Sequence, residues 1–98
     1  PLAGGIQLDF ARRSFDARCS LIVSDAGMDS PATPVDTVAT PWHVLTLTRM
    51  GVRLVDVADL EALSDACIRH GRITFLAVIA ALPLGGASAS PVNPLAVF

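Results

Sequence analysis

The chain has 98 residues, room for one domain or part of one, and a formal net charge of -2. Its seven basic residues are all arginines, scattered from Arg12 to Arg72 without an aromatic-interleaved basic stripe, which argues against a nucleic-acid partner. Hydrophobic residues make up 52% and the mean hydropathy is +0.57, more apolar material than a small soluble domain needs. The longest apolar stretch, Ile73 to Leu84, is shorter than the ~20 residues of a membrane-spanning helix. The surplus therefore points to a partner surface rather than a membrane.

The chain opens on Pro1 without an initiator Met, so either the Met was removed or the chain begins inside a longer polypeptide. An N-terminal proline can act as a base in small tautomerases, but nothing else in the first ten residues suggests that chemistry. No signal or transit segment is recognisable, and the expected compartment is the cytoplasm.

Ile6 to Ala17 has helical spacing through Ile6, Phe10 and Arg13. Cys19 to Val23 is short, apolar and partly β-branched, and predicts a buried strand that ends in the loop residues Ser24, Asp25, Ala26 and Gly27. Asp25, just past that strand, is a minor candidate for a site. Met28 to Thr40 predicts a long loop rich in Pro, Ser, Thr and Asp, and long loops of this kind are often functional. Thr40 is placed to cap a helix beginning at Pro41, running to Met50 and stopping at Gly51.

Val52 to Val55 predicts a short strand. Ala58 to His70 predicts the clearest helix, with Leu60, Leu63, Ala66 and Cys67 on one face. Asp56 and Asp59 suit its N-terminal end, Arg69 and His70 its C-terminal end, and Gly71 its stop. Arg72 to Leu82 has strand character and enough apolar residues for the centre of a sheet. Gly85 to Ser90 is a small-residue loop, and Pro91 to Phe98 a short extended tail. The order is helix, strand, helix, strand, helix, strand, tail, an alternating α/β arrangement. Cys19 and Cys67 are too few and too far apart for a zinc site and are expected as buried free thiols.

Three stretches together resemble the cyclase family of metal-dependent hydrolases, the kynurenine formamidase-like family. The first is Pro41-Trp42-His43-Val44-Leu45 through Met50-Gly51. The second is Leu54-Val55-Asp56 followed by Ala58-Asp59-Leu60-Glu61-Ala62-Leu63. The third comprises Gly71-Arg72, Phe75-Leu76, Leu82-Pro83-Leu84 and the ending Ser90-Pro91-Val92-Asn93-Pro94-Leu95-Ala96. The match covers roughly residues 19 to 98, in the family's order and spacing.

The resemblance implies that residues 1–98 are the C-terminal half of a single cyclase-like domain with a swivelling β/β/α fold. The family's N-terminal motif, His-x-Gly-Thr-His-x-Asp, does not occur in this sequence. The implied activity is hydrolysis of an amide or lactam in a small molecule, with a divalent metal, zinc or manganese, activating water. The metal is held mainly by the N-terminal half, as a separate chain or fragment. His43 and Asp56 are the implied ligands from this half, and Ser88 and Ser90 implied substrate contacts. Asp56 stands where many members carry Glu. The complete unit is expected to form a homo-oligomer, with no nucleic-acid or membrane partner. The alternative is a non-catalytic interaction or structural domain derived from the family.

Overall fold

The computed structural model describes residues 9–29 and 37–98. The chain is mixed α/β and divides into two units, Pro1–Ala58 and Asp59–Phe98. Pro1, Ile6 and the loop positions 30–36 lie outside the described residues. Among the described residues, no helix is long and apolar enough to cross a membrane.

The first unit carries helix α1 (Asp9–Asp16), strand β1 (Leu21–Val23), helix α2 (Pro41–His43) and strand β2 (Arg53–Val55). Helix α1 buries Ala11 and Ser14 rather than the Phe10 and Arg13 face expected from spacing. Phe10 stays partly exposed and tilts its ring against Trp42. Strands β1 and β2 are parallel, with Leu21 opposite Arg53, Ile22 opposite Leu54 and Val23 opposite Val55. Parallel neighbours require a crossover, and the loop plus α2 provides it, giving a strand–helix–strand unit.

Helix α2 runs on as a π-helical segment, Val44–Met50, a departure from the simple helix expected over residues 41–50. The hydroxyls of Thr46 and Thr48 donate back to the carbonyls of Trp42 and Val44. Those carbonyls are the ones an α-helix would offer to the amides of the same threonines, and such back-bonding distorts helices. Gly51 ends the segment at φ +68°, where its amide and that of Val52 both reach the Thr46 carbonyl. Ala11, Ile22, Met28, Trp42 and Val52 form the core, with Cys19, Leu45, Met50 and Leu54 packed on it. Trp42 is the largest fully buried side chain, and its indole N–H donates to Met28 Sδ at 3.3 Å.

The second unit holds helix α3 (Glu61–His70) and strands β3 (Leu76–Val78) and β4 (Leu95–Val97). Asp59 Oδ1 accepts the Glu61 amide at α3's start. Gly71, at φ +61°, closes the helix in a Schellman pattern: its amide reaches Ile68, and the Arg72 amide reaches Cys67. Leu60, Leu63, Ala66 and Cys67, the face expected to be covered, are half-buried. His70 stacks on Phe98 at 4.7 Å, and the Arg72 guanidinium lies 5.6 Å from the same ring.

Strands β3 and β4 pair antiparallel, Leu76 opposite Val97 and Val78 opposite Leu95. The run from Arg72 to Leu82 is therefore not the centre of a sheet. Only three of its residues are strand, they have one neighbouring strand among the described residues, and all three are exposed. No residue from Asp59 to Phe98 is buried, and Ile73 is 85% exposed. The two cysteines are half-buried free thiols rather than fully buried ones.

Candidate functional site

Parallel pairing brings the carboxyl ends of β1 and β2 to the same edge, the end of an α/β sheet where sites collect. The pairing continues past the strands: the Ser24 amide reaches Val55 O at 3.0 Å and the Ala58 amide reaches Ser24 O at 2.8 Å. The loop after β1 delivers Met28 and Asp29 to this edge. Asp56 follows β2 directly, and the first turn of α2 contributes His43.

The His43 imidazole lies between two carboxylates. Nδ1 contacts Asp29 Oδ2, and Nε2 lies 2.8 Å from Asp56 Oδ2. Backbone amides fix both acids. Asp29 Oδ1 accepts the Trp42 amide at 2.7 Å and Oδ2 the His43 amide at 3.4 Å; Asp56 Oδ1 accepts the Met28 amide at 3.1 Å. Asp29 thus caps α2 from a distant loop, while Thr40 makes no side-chain capping bond. Asp56, expected from local sequence to serve the start of α3, is bound to Met28 and His43 instead.

Asp29 is the inner member of the three, its side chain 13% exposed against 30% for both His43 and Asp56. Partial burial works to lower the His43 pKa. The hydrogen bonds to Asp29 and Asp56 and their charges outweigh it, leaving the pKa above the ordinary 6.5.

His43 and Asp56 offer one imidazole and one carboxylate, ligand types that suit a divalent ion. Two ligand atoms bound at about 2.0–2.2 Å to one tetrahedral zinc stand roughly 3.3–3.6 Å apart, so the 2.8 Å between Nε2 and Oδ2 is a hydrogen-bond distance, and the two side chains must part by about half an ångström to share an ion. Asp29 occupies the opposite ring nitrogen, so it does not converge with them on one point. Among the described residues, no group of three or more His, Cys, Asp or Glu is arranged to hold an ion.

The structure therefore brings together His43 and Asp56, which the sequence singled out, and adds Asp29, which it did not. Asp25 is exposed. Ser88 and Ser90 belong to the second unit. Ser88 is exposed, while Ser90 Oγ accepts the Leu82 amide and donates to the Pro91 carbonyl, both at 2.8 Å. An open depression of about 380 Å³, lined by Phe15, Asp16, Arg18, Cys19, Met50 and Val52, shares no residue with the Asp29–His43–Asp56 cluster. No family model, curated protein or solved structure matches this chain.

Proposed function

We propose that this chain forms the C-terminal part of a metal-dependent amide or lactam hydrolase of the cyclase, kynurenine formamidase-like, family, with that family's swivelling β/β/α fold. The observation that carries this reading is the 2.8 Å pairing of His43 Nε2 with Asp56 Oδ2 at the shared carboxyl end of two parallel strands. Both residues stand at positions that the resemblance assigns to ligands.

A divalent ion, zinc or manganese, supplies a low-pKa water and polarises the substrate carbonyl when bound. The work of this chain's residues is to bind and orient. His43 Nε2 and Asp56 Oδ2 present one imidazole and one carboxylate, ligand types that suit either ion. The Met28 amide holds the other oxygen of Asp56 and fixes the angle of that carboxylate. The remaining ligands come from the N-terminal half of the hydrolase, as a separate chain or fragment. The uncovered apolar strands β3 and β4 support a covering partner, since exposed patches of this kind mark interfaces. In the loop proposed to contact substrate, Ser88 is exposed, and Ser90 braces the turn. The complete unit forms a homo-oligomer.

One observation favours a second reading, a non-catalytic structural domain. Both ring nitrogens of His43 already face carboxylates, an arrangement that also serves as an ionic clasp between the two strand-end loops and α2. Native mass measurement with elemental analysis separates the two. The hydrolase reading expects a second polypeptide and roughly one or two divalent ions per complex. An ion-free, monodisperse monomer of 10.2 kDa contradicts it.

A further inference from the structure

We infer that the Phe98 ring is the clasp of a detachable strap. Residues 91–98 lay β4 along β3, the ring fastens them to the end of α3, and the strap opens by local release of that ring while α3 stays folded. Its functional meaning, movement of the chain beside Ser88 and Ser90, rests on the hydrolase reading; the clasp itself does not.

Little else holds β4. Leu95 and Val97 are 55% and 51% exposed, so their side chains gain little from the pairing. The sheet has two strands of three residues each, and a two-stranded sheet is marginal by itself in water. The connection 79–94 is closed against its own entropy. Helix α3 comes close to neither strand over any length. Segments with so few buried contacts open locally, ahead of the rest of the structure.

The ring offsets this weakness. His70, the last residue of α3, stacks on Phe98 with ring centres 4.7 Å apart and planes 9° apart. Phe75, just before β3, tilts against it at 5.5 Å, and the Arg72 guanidinium lies 5.6 Å from its centre. The ring therefore joins the far end of β4 to the segment between α3 and β3. Stacked rings and a cation over a ring face each add attraction beyond that of burial.

The near end of the strap is fixed separately. Ser90 Oγ accepts the Leu82 amide and donates to the Pro91 carbonyl, both at 2.8 Å. Within the loop, the Leu84 amide reaches Leu82 O at 2.8 Å and the Ala87 amide reaches Leu84 O at 3.2 Å. The loop is stapled at its base without help from β4, so the strap hinges at Ser90–Pro91. Release of Phe98 swings residues 91–98 about that staple and uncovers the Phe75 ring and the paired edge of β3.

Native-state hydrogen exchange, read by NMR on the whole chain, tests the strap. In the wild type, the amides bonded between β3 and β4 are expected to exchange through a local opening, faster than the protected amides of α3. Phe98→Ala is expected to lower their protection about tenfold, with the amides of α3 and of β1–β2 unchanged. Phe98→Leu keeps apolar bulk without a ring face and should lose most of the protection, whereas Phe98→Tyr should keep it. Wild-type β3–β4 amides that exchange only together with those of α3 overturn the inference and need no variant to fold. Unchanged protection in Phe98→Ala, full protection in Phe98→Leu, or an equal loss throughout residues 59–98 also overturns it. Neither ion nor substrate enters this test, so a failed strap leaves the hydrolase reading standing, and a failed metal titration leaves the strap standing.

Discussion

Asp56 faces two ways: its Oδ1 takes the Met28 amide at 3.1 Å, and its Oδ2 meets His43 Nε2 at 2.8 Å. One carboxylate at the end of β2 therefore ties the loop after β1 to the first turn of α2. This makes the cluster part of the unit's stability.

The two roles separate in a pair of substitutions. Asp56→Ala leaves the Met28 amide without its partner, and an unsatisfied donor of this kind costs about 1–3 kcal/mol. Asp56→Asn keeps an oxygen for Met28 and is expected to lose less than half as much. Urea unfolding of the two variants beside the wild type measures the difference. Equal losses would show that the Met28 bond contributes little.

Stability is expected to fall on the alkaline side. The folded-state pKa of His43 lies above its ordinary 6.5, held up by Asp29 and Asp56 against the opposing effect of burial. The folded protein thus binds the ring proton more tightly than the unfolded chain does. The resulting stabilisation is complete below the unfolded pKa and is lost as pH climbs through the raised folded value. Denaturant melts at pH 6 and pH 9 should show the wild type weaker at pH 9, with most of the difference gone in His43→Gln. A pH difference that survives His43→Gln would assign it to another group.

Val57 follows Asp56 and has φ +57°, a left-handed conformation rare for a β-branched residue. Its side chain is 73% exposed, so packing offers no compensation. The left-handed region costs an L-residue about 1–2 kcal/mol, and glycine escapes it while losing about 0.5–1 kcal/mol in chain entropy. Val57→Gly should therefore hold or raise the melting temperature. A loss above ~1 kcal/mol by calorimetry would contradict this reading of the turn.

Trp42 joins core and site, since its side chain is buried beside Met28 and its amide caps onto Asp29. Trp42→Ala should cost about 3–5 kcal/mol, enough to unfold a unit this small. Far-ultraviolet circular dichroism and amide dispersion would report the loss. A folded variant with an intact His43 environment would show that the site does not depend on this core.

The local elements were legible because their signals are local. Pro41 and Gly51 bracket α2 with its π-helical continuation, and Gly71 ends α3, each at the expected residue. His43 and Asp56 were named from motif positions, and the chain does bring them together. Asp29 was missed because it caps α2 from thirteen residues before Trp42, whereas capping rules look to the adjacent Thr40. A Pro- and Asp-rich loop ahead of a helix was the available signal, and it drew notice to the loop without selecting the residue. The run from Arg72 to Leu82 misled for another reason. Its apolar content predicts burial, but burial requires neighbours, and among the described residues β3 pairs only with β4.

The proposed hydrolase requires that His43 Nε2 and Asp56 together bind a divalent ion. Calorimetric titration of the protein, with its partner half where one copurifies, with zinc and with manganese tests it most directly, comparing the wild type with His43→Ala. At least a tenfold loss of affinity for one of these ions is expected in the variant, about 1.4 kcal/mol. Equal affinity in the two proteins, or no binding by either, would contradict it.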